Sequence, residues 1–165
     1  RSFVFDKADE RDYTTNDSLV SPAALRRGRL YCEVYMPLAD IHCRVGLSVS
    51  LFALALGVWG VIAFLRGMGV TGSYFGALVI GEVLTVVQAL VGVLLVITGH
   101  WPPDVLHFLY GIVVILSWLM VYIYTKGATT RREMLIYAIV SFFVMGLAIR
   151  GIMTGSEVPS CLANF

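Results

Sequence analysis

Charge is scarce in this chain. Of 165 residues only 14% are Asp, Glu, Lys or Arg, and 12 basic against 11 acidic side chains leave a formal net charge of +1. That excludes the dense basic surface a polyanion needs; the few basic residues stand beside apolar segments, where they serve topology. Nucleic acid is therefore not an expected partner. Cysteine is scarce too: Cys32, Cys43 and Cys161 show no C-x-x-C spacing, which argues against a zinc or thioredoxin-like motif. They read as unreactive thiols, or as a disulfide between Cys161 and either Cys32 or Cys43 if both tails face an oxidising compartment. No nucleophile stands with a base, no helix carries a metal-ligand cluster, and no glycine loop is placed for phosphate. No catalytic residue is assigned. A signal-peptide pattern is missing as well, and the opening at Arg1 rather than Met reads as a processed or partial N-terminus.

Apolar side chains are what the chain has in excess. They make up 58% of it, and the mean hydropathy of +0.82 lies outside the soluble globular range. The expected fold is all-α: a polytopic membrane protein with a four-helix transmembrane bundle and a polar N-terminal arm. Spans are expected at 45–65, 74–98, 105–125 and 134–153, each near the roughly 20 residues that cross a bilayer. Residues 1–44 form the extramembrane arm and 154–165 a short tail. The arm is rich in turn formers such as Thr14-Thr15-Asn16-Asp17-Ser18, with one short helix predicted from Pro22 to Leu30, capped by Ser21. Such a segment buries too little to fold alone. Leu30, Tyr31, Val34, Tyr35 and Met36 would be exposed just before the membrane, so the arm is expected to lie along a neighbouring subunit.

In the first span Gly46, Ser50, Ala53, Gly57, Gly60 and Ala63 recur at steps of four and three. Their small side chains share one helix face, which lets another backbone approach closely. The stripe demands a close neighbour, from the same chain or from another.

The second span carries Glu82 near mid-bilayer, where a carboxylate is costly and is a candidate functional group. Thr85 and Gln88 follow at steps of three, a slanting polar line that reads first as interhelical glue. The hairpin bend Gly99-His100-Trp101-Pro102-Pro103-Asp104 comes next, with His107 one turn into the third span. Proline geometry, an interfacial tryptophan and a helix-dipole aspartate account for most of it. His100 and His107 remain, on the same side as His42. A bis-histidine haem or a metal, with Asp104 or Cys43 as a further ligand, is a weaker reading than ordinary interfacial hydrogen bonding, because no two helices offer facing histidines within their apolar cores. Arg150, turned inward, would pair with Asp104. Tyr122 and Tyr124 suit an interface belt.

Four spans put both termini and the bend on one side. The opposite loops hold Arg66, Lys126, Arg131 and Arg132, which favours the periplasm for the first side; Arg26, Arg27, Arg29 and Arg44 on the arm pull the other way.

The run of Glu82, Gln88-Ala89-Leu90-Val91-Gly92, Gly99-His100-Trp101-Pro102-Pro103-Asp104, Leu106-His107, Tyr110-Gly111 and Arg150 before Thr154-Gly155 resembles small four-helix membrane proteins of unassigned function in bacteria such as the filamentous phototrophs. The resemblance covers roughly residues 51–155 and leaves the arm uncovered. The chain is also similar to an accessory subunit of a quinol-oxidising assembly such as alternative complex III. That likeness implies a partner-bound role in a bacterial inner membrane, with the redox centres on other subunits.

The leading expectation is a non-catalytic accessory subunit of a respiratory or photosynthetic electron-transfer complex, packing through helix 1 and the arm against other integral membrane subunits and lipids. Its own chain would hold no cofactor. The first alternative is a small haem- or quinone-binding redox protein using His100, His107, Glu82 or Gln88. A transporter or channel component is the second.

Overall fold

The structure, a computed structural model, describes the backbone of residues 22–155 and the side chains of residues 38–155. Four helices follow one another: α1 (Pro22–Leu65), α2 (Gly72–Ile97), α3 (Leu106–Thr125) and α4 (Arg131–Gly155). All four contain stretches long and apolar enough to cross a membrane, with the α1 stretch at Leu38–Leu65. The protein is an all-α polytopic membrane protein. Two compact units divide at Pro37, residues 1–37 and 38–165. A helix begins at Pro22, as the proline predicts, but does not stop at Leu30: residues 31–44, expected as extended arm, are helical and join the first span. No glycine stands between Leu30 and Gly46, and the helix runs on through Pro37. The expected burial of Leu30, Tyr31, Val34, Tyr35 and Met36, and the order of residues 1–21, lie outside the described residues.

Helix ends are written in the local sequence. After Leu65, Gly67 takes a positive φ of 75°, Gly67 N–H reaches Phe64 O and Met68 N–H reaches Ala63 O, so two orphan carbonyls are satisfied. The same motif closes α2, where Gly99 at φ 89° bonds Val96 O and His100 N–H bonds Leu95 O. Thr71 caps α2 by accepting from Tyr74 N–H. Ahead of α4, Thr130-Arg131-Arg132-Glu133 has the spacing of a capping box, and the Thr130 hydroxyl donates to the Glu133 carboxylate. The two loops at this end are tied together. Val70 N–H donates to Thr129 O at 3.1 Å, and Arg131 donates to Phe64 O at 3.0 Å while lying over the Phe64 ring.

All six small residues of the α1 stripe are buried. Their neighbours are α2 and α4 of the same chain: Gly60 backs onto Tyr74 and Ala138, Gly57 onto Phe142, and Gly46 onto Gln88. The stripe is therefore filled from within and does not offer a free face to another protein. On α2 the facing residues Tyr74, Leu78, Gly81 and Thr85 keep the same four-three rhythm, as do Val114, Trp118, Val121 and Thr125 on α3. Tyr74, fully buried, donates its hydroxyl to Leu56 O at 3.2 Å and stands edge-on to Trp59. Between α3 and α4, Thr125 and Tyr137 hydroxyls bond at 2.8 Å. The buried core side chains Leu56, Tyr74, Met134 and Tyr137 lie toward the end that carries the 66–71 and 126–130 loops. The opposite end is more polar.

Candidate functional site

At that polar end all four helices contribute to one cluster. His42 comes from α1, Gln88 and Gly92 from α2, His107 from α3, and Gly151 and Gly155 from α4. The Gln88 side-chain amide lies 3.2 Å from His42 Nε2, and the two imidazoles stand 5.9 Å apart between ring centres, tilted by 55°. His107 Nδ1 is 2.9 Å from Gly151 O. A carbonyl only accepts, so Nδ1 carries the proton and a neutral His107 keeps its lone pair on Nε2. With the Gln88 amide nitrogen donating to His42 Nε2, the His42 proton sits on Nδ1. That atom is buried without a hydrogen-bond partner, as is Gln88 Oε1.

Glycine makes the room. A Cβ on Gly92 would stand 3.0 Å from His42 Cε1, and one on Gly155 would stand 2.6 Å from His107 Cε1 and 2.7 Å from its Nδ1. Gly155→Ala is accordingly expected to push the imidazole off Gly151 O and to lower stability by about 1–2 kcal/mol. Gly151→Ala, whose Cβ meets nothing within 4 Å, is the matched control. Thermal melting and the nitrogen NMR shift of His107 Nδ1 check both variants; an unchanged shift in Gly155→Ala contradicts this packing.

Two of the four residues singled out in sequence for cofactor contact, Gln88 and His107, thus belong to one cluster, joined by His42. The other two do not. His100 hydrogen-bonds Thr98 in the bend, and Glu82 stands ten residues into α2, about 15 Å along its axis. Glu82 is half-buried, with Oε2 buried and unpartnered. Trp118 Nε1 on α3 is in the same state. The expected ion pair between Asp104 and Arg150 is not formed. Asp104 Oδ1 instead accepts from Leu106 N–H at 2.9 Å, capping α3, and Arg150 is exposed. A cap two residues away costs far less ordering than a partner 46 residues distant. The one ion pair among the described residues, Arg44 with Asp40 at 2.7 Å, is an exposed i,i+4 contact.

A haem held by two histidines was one expectation. His42 Cε1 is turned to Gly92 and its Nε2 to the Gln88 amide, both on α2. Among the described residues no three His, Cys, Asp or Glu side chains converge as a metal site. Cys43 is disulfide-bonded rather than the unreactive thiol first expected; Cys161, the partner expected in the disulfide alternative, and Cys32 have side chains outside the described residues.

His42 was read as lying just outside the membrane. The signal that could have found its role is the i,i+4 pair Gln88 and Gly92, a hydrogen-bonding amide one turn before a gap.

These features define a class: a four-helix integral membrane protein whose polar groups cluster inward at one end of the bundle. No protein family, curated protein or solved structure matches the chain.

Proposed function

We propose that this chain is a non-catalytic accessory subunit of an energy-transducing electron-transfer complex in a bacterial inner membrane. The carrying observation is Glu82. It is half-buried near the centre of α2 and borders Ile80 and Val83, which are 60% and 57% exposed. A carboxyl at the edge of a lipid-facing surface at mid-bilayer costs several kcal/mol unless another group bonds it. A neighbouring subunit that covers this edge of α2 supplies that group. The contact runs over α2, with the N-terminal arm as a second one, because α1's small-residue face is already filled. The electron-transfer setting comes from the resemblance to accessory subunits of quinol-oxidising assemblies.

The histidine end and both termini are assigned to the periplasmic side. Two observations support this. Arg66, Lys126, Arg131 and Arg132 flank the opposite loops, and disulfide-bonded Cys43 sits beside His42, as expected in an oxidising compartment.

A photo-crosslinking residue in place of Val83, expressed in the native membrane, tests the subunit reading. An adduct with an integral membrane protein is expected, together with haem-bearing partners that keep their spectrum when this chain is stripped away. Glu82→Leu is expected to lower co-purification about tenfold, the effect of a ~1.4 kcal/mol contact, without lowering the melting temperature of the chain itself. Adducts with lipid only, and a chain purified alone with bound quinone, would instead favour the quinone-binding reading.

A further inference from the structure

Glu82, Thr85 and Gln88 follow one another along α2 at about 4.5 Å of axial rise per step. His42 continues the line through its 3.2 Å contact with Gln88, and His107 lies beyond it, 5.9 Å away between ring centres. The line starts near the middle of an apolar helix. It ends beside the bend, where Trp101 is exposed and Asp104 caps α3.

Of the four buried, unpartnered side-chain polar atoms among the described residues, three lie on this line: Glu82 Oε2, Gln88 Oε1 and His42 Nδ1. Thr85, buried and lying between Glu82 and Gln88 in sequence, donates to Gly81 O, which leaves its hydroxyl oxygen open to accept. Buried polar atoms nearly always find a partner in protein or water, and leaving one unmet costs about 1–3 kcal/mol. Three on one line, with the Thr85 hydroxyl midway along the roughly 9 Å of rise between Glu82 and Gln88, are poor glue. They are spaced for one or two bridging waters each.

We propose that Glu82 is the inner end of a proton half-channel, in which water held by Thr85, Gln88 and His42 connects the carboxyl to the His107 side of the membrane and to that side alone. The far side is closed. Leu78, Tyr74 and Leu56 fill the bundle between Glu82 and the opposite loops. The step moves a proton and no electron: the Glu82 carboxyl gives its proton to the first water, the row passes one on, and His107 Nε2 accepts it. Return along the row restores the carboxyl. The charged groups nearest the outer end are the Asp40–Arg44 pair on α1, Asp104 ahead of α3, and Arg150 on α4. Gln88 and Gly92 from α2 and Gly151 from α4, which pack directly on the histidines, are uncharged.

This shares Glu82 with the subunit reading but needs no partner, so it is tested on the full chain in lipid vesicles. Infrared spectroscopy follows the carboxyl C=O band that disappears in Glu82→Gln. Transfer to heavy water is expected to shift this band within the mixing time in the unaltered chain. The shift should slow by more than an order of magnitude in Gln88→Leu and in Thr85→Val, and recover in Thr85→Ser. Should Gln88→Leu fail to assemble, the near-isosteric Thr85→Val carries the test. Equal exchange in Thr85→Val and the unaltered chain overturns the proposal, as does an unexchanging band or no Glu82-dependent band at all. Exchange that slows in Thr85→Val as expected, in a chain that co-purifies with no other membrane protein, counts against the subunit reading only.

Discussion

Leucine in place of Gly60 is expected to keep the bundle from closing, at a cost of about 3 kcal/mol or more, the upper range for overpacking. Even the first carbon of a side chain there would stand 2.7 Å from the Tyr74 hydroxyl, 2.8 Å from Ala138 Cβ and 3.3 Å from Ala138 Cα. The last of these is backbone. Relief therefore requires α1 and α4 to separate, and in lipid that sacrifices the dispersion contacts that hold the helices together. Gly57 marks the contrast, since the atoms nearest its added carbon, at 3.0 Å, belong to the ring of half-buried Phe142 and not to backbone. Gly57→Leu should cost less, about 1 kcal/mol, as that ring turns aside. Gly76→Ala, with nothing within 4 Å, should be neutral. Tryptophan-fluorescence melting and gel filtration in mild detergent rank the three. A Gly60→Leu chain as stable as Gly76→Ala would contradict the close α1–α4 contact.

Removal of the Tyr74 ring should have the second largest effect. Tyr74 is fully buried where α1, α2 and α4 meet, and Tyr74→Ala opens a cavity expected to cost about 3–5 kcal/mol. Tyr74→Phe should cost about 1 kcal/mol or less. The Leu56 carbonyl that loses the hydroxyl keeps its bond within α1, and the T-shaped contact with Trp59 at 5.4 Å survives. The hydroxyl also stands where a Gly60 side chain would go. Tyr74→Phe and Gly60→Ala should therefore be coupled, the double variant more stable than the two single losses predict. Simple additivity in melting would mean that these groups do not touch.

Much of the architecture is legible one segment at a time. The spans could be placed from runs of apolar residues, and Pro22, Gly67 and Gly99 mark helix ends through local backbone chemistry. The small-residue stripe could be recognised because a spacing of fours and threes is a property of one helix. Its occupant could not. Gly60 meets Ala138 across 78 positions of sequence, and nothing in either segment names the other. The candidate site divides in the same way. Glu82, Thr85 and Gln88 form a visible row on α2, whereas the partnership of Gln88 with His42 depends on how α1 and α2 are aligned. Asp104 was given to Arg150 on grounds of shared depth, but its own helix start was nearer.

The sequence by itself determined that this is a membrane protein of four apolar helices with a carboxyl in the middle of the second. Lipid cannot hydrogen-bond the backbone, so every apolar run of sufficient length must become a helix on its own account. Tertiary structure alone decided that α2 and α4 fill the face of α1, and that His42, Gln88 and His107 meet at one end. In lipid no hydrophobic drive favours one helix pair over another. The choice rests on steric fit and on a few directional bonds between residues far apart in the chain, which no single segment encodes.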